Sequence, residues 1–253
     1  HRYKRNYHAR MRLHLYQSNR IVSNWIVAVL VAVALSGPTP TSTRTNDDRI
    51  IVSYKGNMGI LISSLKTSIL IDGLHEYYGR SYLNPPDTEV RKILNRSHPY
   101  TNLHLALFTH FHRDHYSEKL AKDFLQSSPK NYVIGSPQVI GSLSGSNAIN
   151  AWNKNAVLLT DTALGVVVHS FNIPHVWQER HSTVQNVAYL IEINNSITFH
   201  VGDAETDIAV FSRLQLGKVD VMIAPVWFLM NKEGIRIIKE TIKPRVVIAT
   251  HIS

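Results

Sequence analysis

Four potential metal ligands fall within six residues at His110-Phe-His112-Arg-Asp114-His115, directly after the apolar run Leu103-His-Leu-Ala-Leu-Phe108. The run reads as a buried strand that delivers the cluster to one edge of a sheet. Ligands spaced this closely can surround an ion only from a loop, where free backbone dihedrals aim each side chain separately. Neutral imidazole and carboxylate are donors that zinc, manganese and iron(II) accept. The competing explanation is a polar turn that happens to be histidine-rich. With 14 histidines among 253 residues, three His and one Asp in this order would be a rare accident.

The chain has no cysteine, which excludes disulfides, thiolate nucleophiles and cysteine metal sites and leaves the redox compartment undecided. A composition of 44% apolar and 18% charged residues fits a folded globular protein. The net charge of +9 is unevenly spread. Residues 1–36 carry six basic residues and no acid, so the remaining 21 basic and 18 acidic residues leave residues 37–253 at only +3. No basic stripe interleaved with aromatics is present, and no nucleic-acid partner is expected.

Those first residues read as an address. A basic stretch precedes Trp25-Ile-Val-Ala-Val-Leu-Val-Ala-Val-Ala-Leu35, and Ala34-Leu35-Ser36 offers small residues where a signal peptidase reads them. Residues 1–36 are therefore expected to be a signal peptide, with an uncleaved membrane anchor as the alternative. The apolar run is shorter than the ~20 residues that span a bilayer. Met11 stands where such a signal would begin, so residues 1–10 are expected to precede the true start. The expected location is exported, periplasmic or extracellular, and the only expected membrane contact is that anchor. A Thr/Ser/Pro linker fills 37–48, and one domain occupies 49–253. Because the chain stops two residues after His251, a truncated C-terminus is expected.

Within the domain, residues 50–54, 59–63, 68–72, 103–108, 132–134, 156–159, 165–173, 186–192, 196–201, 219–224 and 246–249 read as strands. Asn194-Asn195 marks a hairpin turn. Helical patterns cover about 87–94 with Asp87 as cap, a segment starting at Ser117-Glu118, 207–214 and 232–242. Strands come first and then alternate with helices, which predicts a mixed α/β domain. No internal repeat stands out.

The six-residue cluster resembles the principal motif of the metallo-β-lactamase superfamily, and further segments follow in that family's order. Residues 59–72 are similar to its opening strands, ending at Asp72; Phe199-His-Val-Gly202-Asp203 resembles its Gly-Asp segment; Val246-Val-Ile-Ala-Thr-His251 resembles its last strand and terminal histidine. The resemblance covers residues 49–253 and implies a four-layer αββα sandwich holding two divalent metal ions. It assigns His110, His112 and one further histidine to the first ion, Asp114, His115 and His251 to the second, and Asp203 to both. The further histidine is taken as His175, at the strand end where that family places it, with His181, in the loop that follows, as the alternative; His169, in mid-strand, comes last. Asp72 would orient ligands rather than bind metal. His98 reads as an exposed loop residue, and His104 and His200 as residues on strand faces. Zinc is the default ion, with manganese or iron as alternatives.

Through this resemblance the expected function is a dinuclear metal-dependent hydrolase, using a metal-bridging hydroxide on a lactone, ester or phosphodiester as small-molecule substrate. Asp114 would orient the water or shuttle its proton. The alternatives are a β-lactamase or glyoxalase-II-like thioesterase, and a catalytically idle metal-binding scaffold. Lack of cysteine sets aside the β-lactamases with a cysteine ligand. Asp203 sets aside the cysteine-free ones, and His112 the flavodiiron relatives. The runs Tyr54-x-Gly56-Asn57-x-Gly59, Ile69-Leu-Ile-Asp-Gly73 and Tyr189-Leu-Ile-Glu192 look most like the branch containing ascorbate-6-phosphate lactonase and N-acyl-phosphatidylethanolamine phospholipase D. Tyr77, Tyr78, Trp177 and Arg180, in the loops 74–86 and 176–185, are candidates for a substrate pocket.

Overall fold

Apolar side chains alternate along β2 (Gly59–Ser63) and β3 (Ser68–Ile71), and both faces of these strands are buried. A computed structural model, which describes residues 49–79, 82–145 and 147–252, shows what covers each face. The expected signal and linker lie outside the described residues. Ile60, Ile62, Ile69 and Ile71 meet Val168, Tyr189, Ile191 and Ile193 of a second sheet, whereas Leu61 and Leu70 turn outward onto helices.

The first sheet runs β1-β2-β3-β4-β5-β6, adding β1 (Ile51–Gly56), β4 (Leu103–Leu107), β5 (Tyr132–Gly135) and β6 (Ala148–Asn150). The second runs β12-β11-β10-β9-β8-β7, with β7 (Ala156–Asp161), β8 (Val166–Asn172), β9 (Val187–Ile193), β10 (Ser196–His200), β11 (Val221–Pro225) and β12 (Val246–Thr250). Each sheet opens with antiparallel strands and finishes with parallel ones, joined by crossovers through helices. The chain passes between the sheets once, from edge strand β6 to edge strand β7, through the exposed residues Asn153, Lys154 and Asn155.

Outside the first sheet lie α1 (Asp87–Leu94), α2 (Glu118–Ser127) and α3 (Pro137–Ile140), which bury Ile93, Leu120, Phe124 and Val139 against it. Outside the second lie α5 (Ile208–Ser212), α6 (Trp227–Met230), α7 (Lys232–Arg236) and a π-helical turn (Ile237–Ile242), which bury Phe211, Phe228, Ile237 and Ile238. The expected four-layer αββα sandwich is present, with one apolar core between the sheets and one under each helical layer. The expected hairpin turn is there too: Asn194 and Asn195 both take positive φ, as a two-residue turn requires.

Two details depart from expectation. Pro86, not Asp87, takes the N-cap position of α1, and no side chain caps that end. Asp87 is instead the first residue inside the helix, where its charge favours the positive end of the helix dipole. The helical stretch over 232–242 is present without a break, but only α7 is α-helical and the rest is the π-helical turn, which ends at Lys243 in the left-handed region.

Candidate metal centre

Every candidate ligand follows the C-terminal end of a strand. His110, His112, Asp114 and His115 come from the loop after β4, His175 from the segment after β8, Asp203 from that after β10, and His251 from the end of β12. Both halves of the molecule thus contribute, and the loops are bonded to each other. Val176 N–H donates to Asp203 O at 2.8 Å and Glu205 N–H to Pro174 O at 2.8 Å, fixing His175 against Asp203. His251 N–H donates to Asn57 O at 3.1 Å, reaching across to the turn between β1 and β2.

The side chains converge as three overlapping sets whose donor atoms lie within 4.8 Å of one another: His110, His112 and His175; His110, His115 and Asp203; Asp114, His115 and His251. Asp203 stands in the middle. Its Oδ1 is 3.4 Å from His115 Nε2, and its Oδ2 is 3.4 Å from His251 Nε2 and 3.8 Å from His175 Nε2. Asp114 Oδ2 lies 3.4 Å from His251 Nε2 and 3.6 Å from His115 Nε2.

His115 Nε2, His175 Nε2 and Asp203 Oδ1 are buried without a hydrogen-bond partner. Such orphaned atoms are costly in a folded interior. Their separations match donors around a shared ion, because tetrahedral ligands about 2.1 Å from a metal stand about 3.4 Å apart. The residues therefore fit a metal, by donor chemistry and by spacing.

A second layer sets the ring orientations. Asp72, fully buried at φ +47°, accepts from Thr109 N–H at 2.8 Å, Thr109 Oγ1–H at 2.6 Å and His115 Nδ1 at 2.9 Å. That contact turns His115 Nε2 toward Asp203, the orienting role expected of Asp72. His175 does the same with a carbonyl, its Nδ1–H lying 2.7 Å from Val176 O. Gly202, at φ +61°, lets the β10 loop press against Thr109 and Asn186. Asn186 holds that loop, donating from Nδ2 to Ile173 O and Val201 O and accepting from Asp203 N–H at 3.2 Å.

Burial would push the His115 imidazole down, but Asp203 and Asp72 outweigh it and hold it well above its ordinary value. Burial lowers His251 as well, but the Asp203 and Asp114 carboxylates prevail and raise it to about 9. Asp203 is held well below the usual carboxylate range, since His115 and His251 outweigh its own burial. Burial first and then His115 push His110 well down, and burial first, then His175 and His115, lower His112 to about 4. The metal-free centre is thus an ion-pair cluster beside neutral imidazoles that can accept a metal without losing a proton.

The seven residues proposed from sequence meet at one place. Of the two candidate third histidines, His175 belongs to a donor set, while His181, on α4 (Gln178–His181), belongs to none of the three and stands edge-on to His112 at 5.0 Å and tilted to His175 at 4.8 Å between ring centroids. His169 lies in mid-β8, paired with Val157 of β7 and Leu190 of β9, His98 is exposed, His104 contacts Arg96, and His200 is buried against Met58 O. Sequence reasoning gave no role to Asn57, whose Nδ2 donates to Asp114 O and Oδ2, both at 3.0 Å, nor to Asn186 and the buried His75. An asparagine in a turn is common enough to carry no signal of its own.

A family model described as "Beta-lactamase superfamily domain" matches residues 51–251. Among solved structures, a novel metallo hydrolase from the hyperthermophilic archaeon Ignicoccus hospitalis aligns at TM-score 0.55 and 16% identity, over 81% of this chain and 83% of that one. A possible metal-dependent hydrolase from Veillonella parvula aligns at TM-score 0.52 and 16% identity, over 70% and 72%. These likenesses are of fold. No curated protein matches the sequence.

Proposed function

Because the chain belongs to the β-lactamase superfamily, we propose that it is a hydrolase working with two divalent metal ions on a lactone, another ester or a phosphodiester. The observation that carries this reading is the Asp203 carboxylate, approached at 3.4 Å on Oδ1 by His115 and at 3.4 Å on Oδ2 by His251. A carboxylate reached from both sides suits a bridge, and seven donors exceed the four that one structural zinc ion takes. His110, His112 and His175 would hold one ion, Asp114, His115 and His251 the other, and Asp203 both. Zinc suits the five imidazoles; manganese or iron would suit the carboxylate share. When bound, such ions bring the pKa of a coordinated water toward neutrality and stabilise a developing oxyanion.

The chain's own groups do the rest. Asp72 and Val176 O fix the tautomers of His115 and His175, so each presents Nε2 to the centre. Asn57 and His251 engage Oδ2 of Asp114. Oδ1 is then the atom that takes the proton from the attacking water and returns it to the leaving-group oxygen.

Elemental analysis should find close to two ions per chain, and a screen across lactone, phosphodiester, ester, thioester and β-lactam substrates should find turnover among the first three. Asp203→Ala should remove both metal and turnover, while His181→Ala keeps the metal content. A chain that takes up no metal on titration ends this reading. The proposal extends to location: residues 1–36 direct export, and N-terminal sequencing of fractionated cells tests it. A mature chain starting near Gly37 means cleavage, and an intact chain in the soluble cytoplasm defeats the claim.

A further inference from the structure

Aromatic rings wall the mouth of the metal centre in unbroken contact. Tyr78 packs on Tyr82 at 5.5 Å between centroids, and Tyr82 stands edge-on to His251 at 5.3 Å. Trp227 meets His251 at 5.2 Å and Trp177 at 6.3 Å. The arc continues from Trp177 through His181 at 6.3 Å and His112 at 5.0 Å to Phe111 at 5.1 Å. A molecule approaching the metal ligands along this side passes ring faces and edges. Trp227 also packs against the helical core, but packing does not account for Tyr78, Phe111 and Trp177, which are 46%, 40% and 64% exposed.

Trp177 stands out. It lies two residues after His175 with φ +58° and ψ +55°, a left-handed conformation that costs a bulky side chain about 1–3 kcal/mol. Its N–H donates to Glu205 Oε2 at 3.2 Å, and its carbonyl starts α4 by accepting from Arg180 N–H and His181 N–H. The backbone is therefore held in a strained state that keeps a large ring out at the mouth. With Gln178, Glu179, Arg180 and Glu205, that ring lines a cavity of about 600 Å³. Backbone strain of this kind concentrates where a ligand is positioned.

We propose that the arc is the substrate-binding wall, that it selects esters or lactones carrying a flat apolar arm, preferentially aryl, beside the scissile bond, and that Trp177 sets this preference. The inference rests on the hydrolase reading above. Its chemistry follows from the five outer rings, Tyr78, Tyr82, Phe111, Trp177 and Trp227. They supply dispersion surface and quadrupoles but no formal charge, so they reward an offset-stacked or edge-on ring.

The test compares methyl phenylacetate with methyl acetate on the metal-loaded protein, and follows binding of phenylacetate and acetate by ligand-observed NMR. The phenyl ester should be favoured about tenfold or more in kcat/KM, chiefly through KM, the scale of one stacked pair plus its burial. Trp177→Ala should cut that preference several-fold, and Trp177→Phe should keep most of it. Equal kcat/KM for the two esters, or a preference that Trp177→Ala leaves intact, overturns the inference while leaving the hydrolase reading in place. If neither ester is hydrolysed, the reaction class is at fault and the NMR arm decides. Phenylacetate binding that exceeds acetate binding and weakens in Trp177→Ala upholds the aromatic wall; equal binding of the two acids overturns it.

Discussion

A side chain at position 202 has nowhere to go. A Cβ there would overlap Asn186 Oδ1 and come within 2.7 Å of Thr109 Cβ, in a backbone conformation that already disfavours L residues. Gly202→Ala should therefore cost about 2–4 kcal/mol in denaturant unfolding. It should also weaken metal binding, because the displaced loop carries Asp203. A second expectation at this scale concerns pH. An unfolded histidine titrates at ~6.5, and His251 in the folded, metal-free protein is raised to about 9. A raised value means the stabilisation is complete below the unfolded pKa and is lost as pH rises through the folded one. Metal-free protein should thus lose on the order of 2 kcal/mol between pH 6.5 and 9.5. Asp203, held down, gives the opposite edge, with its contribution lost on acidification. Thermal melts in chelator across this range check the first and melts below about pH 4 the second, and metal-loaded protein should not show the alkaline loss. Much of this centre was legible as residues, because closely spaced His and Asp have few other reasons to occur together. The preference for His175 over His181 rested on its place at a strand end, but sequence alone could not exclude His181, which lies six residues on and whose ring stands only 4.8 Å from that of His175.

The clearest junction between an element and the centre is the start of α2, two residues beyond His115. Ser117 Oγ accepts from Leu120 N–H at 3.3 Å and donates to Glu76 Oε2 at 3.1 Å, so one hydroxyl both caps the helix and ties it to the loop after β3. Ser117→Ala should destabilise the protein by about 1 kcal/mol, read as a shift of the denaturation midpoint at unchanged slope. Sequence showed this helix start because a serine before an apolar period is a cap signal. It also showed every strand except β6. That strand, with α3, α4 and α6, spans only three or four residues, less than the length over which a period can be recognised. The misreading of Asp87 has a related cause: a proline just before an acidic residue can itself supply the boundary, leaving the acid inside.

Viewed whole, the molecule is two sheets with their helices, and the metal ligands come from both. Metal should therefore clamp the halves. At a free concentration a hundred times the dissociation constant, binding adds about 2.7 kcal/mol, on the order of 5–10 °C for a domain of this size. Differential scanning calorimetry with and without chelator measures it, and a melting temperature indifferent to metal would contradict the clamp. The repeated order of antiparallel and then parallel strands in the two sheets had no counterpart as a sequence repeat, because sheet topology constrains periodicity and not identity. The single exposed passage from β6 to β7 has its own consequence. A covalent link crossing between the sheets only once acts on their association mainly through effective concentration. Severing the chain at Lys154 should thus convert folding into a bimolecular equilibrium between two fragments. Each fragment would carry part of the ligand set, and metal would promote their complementation.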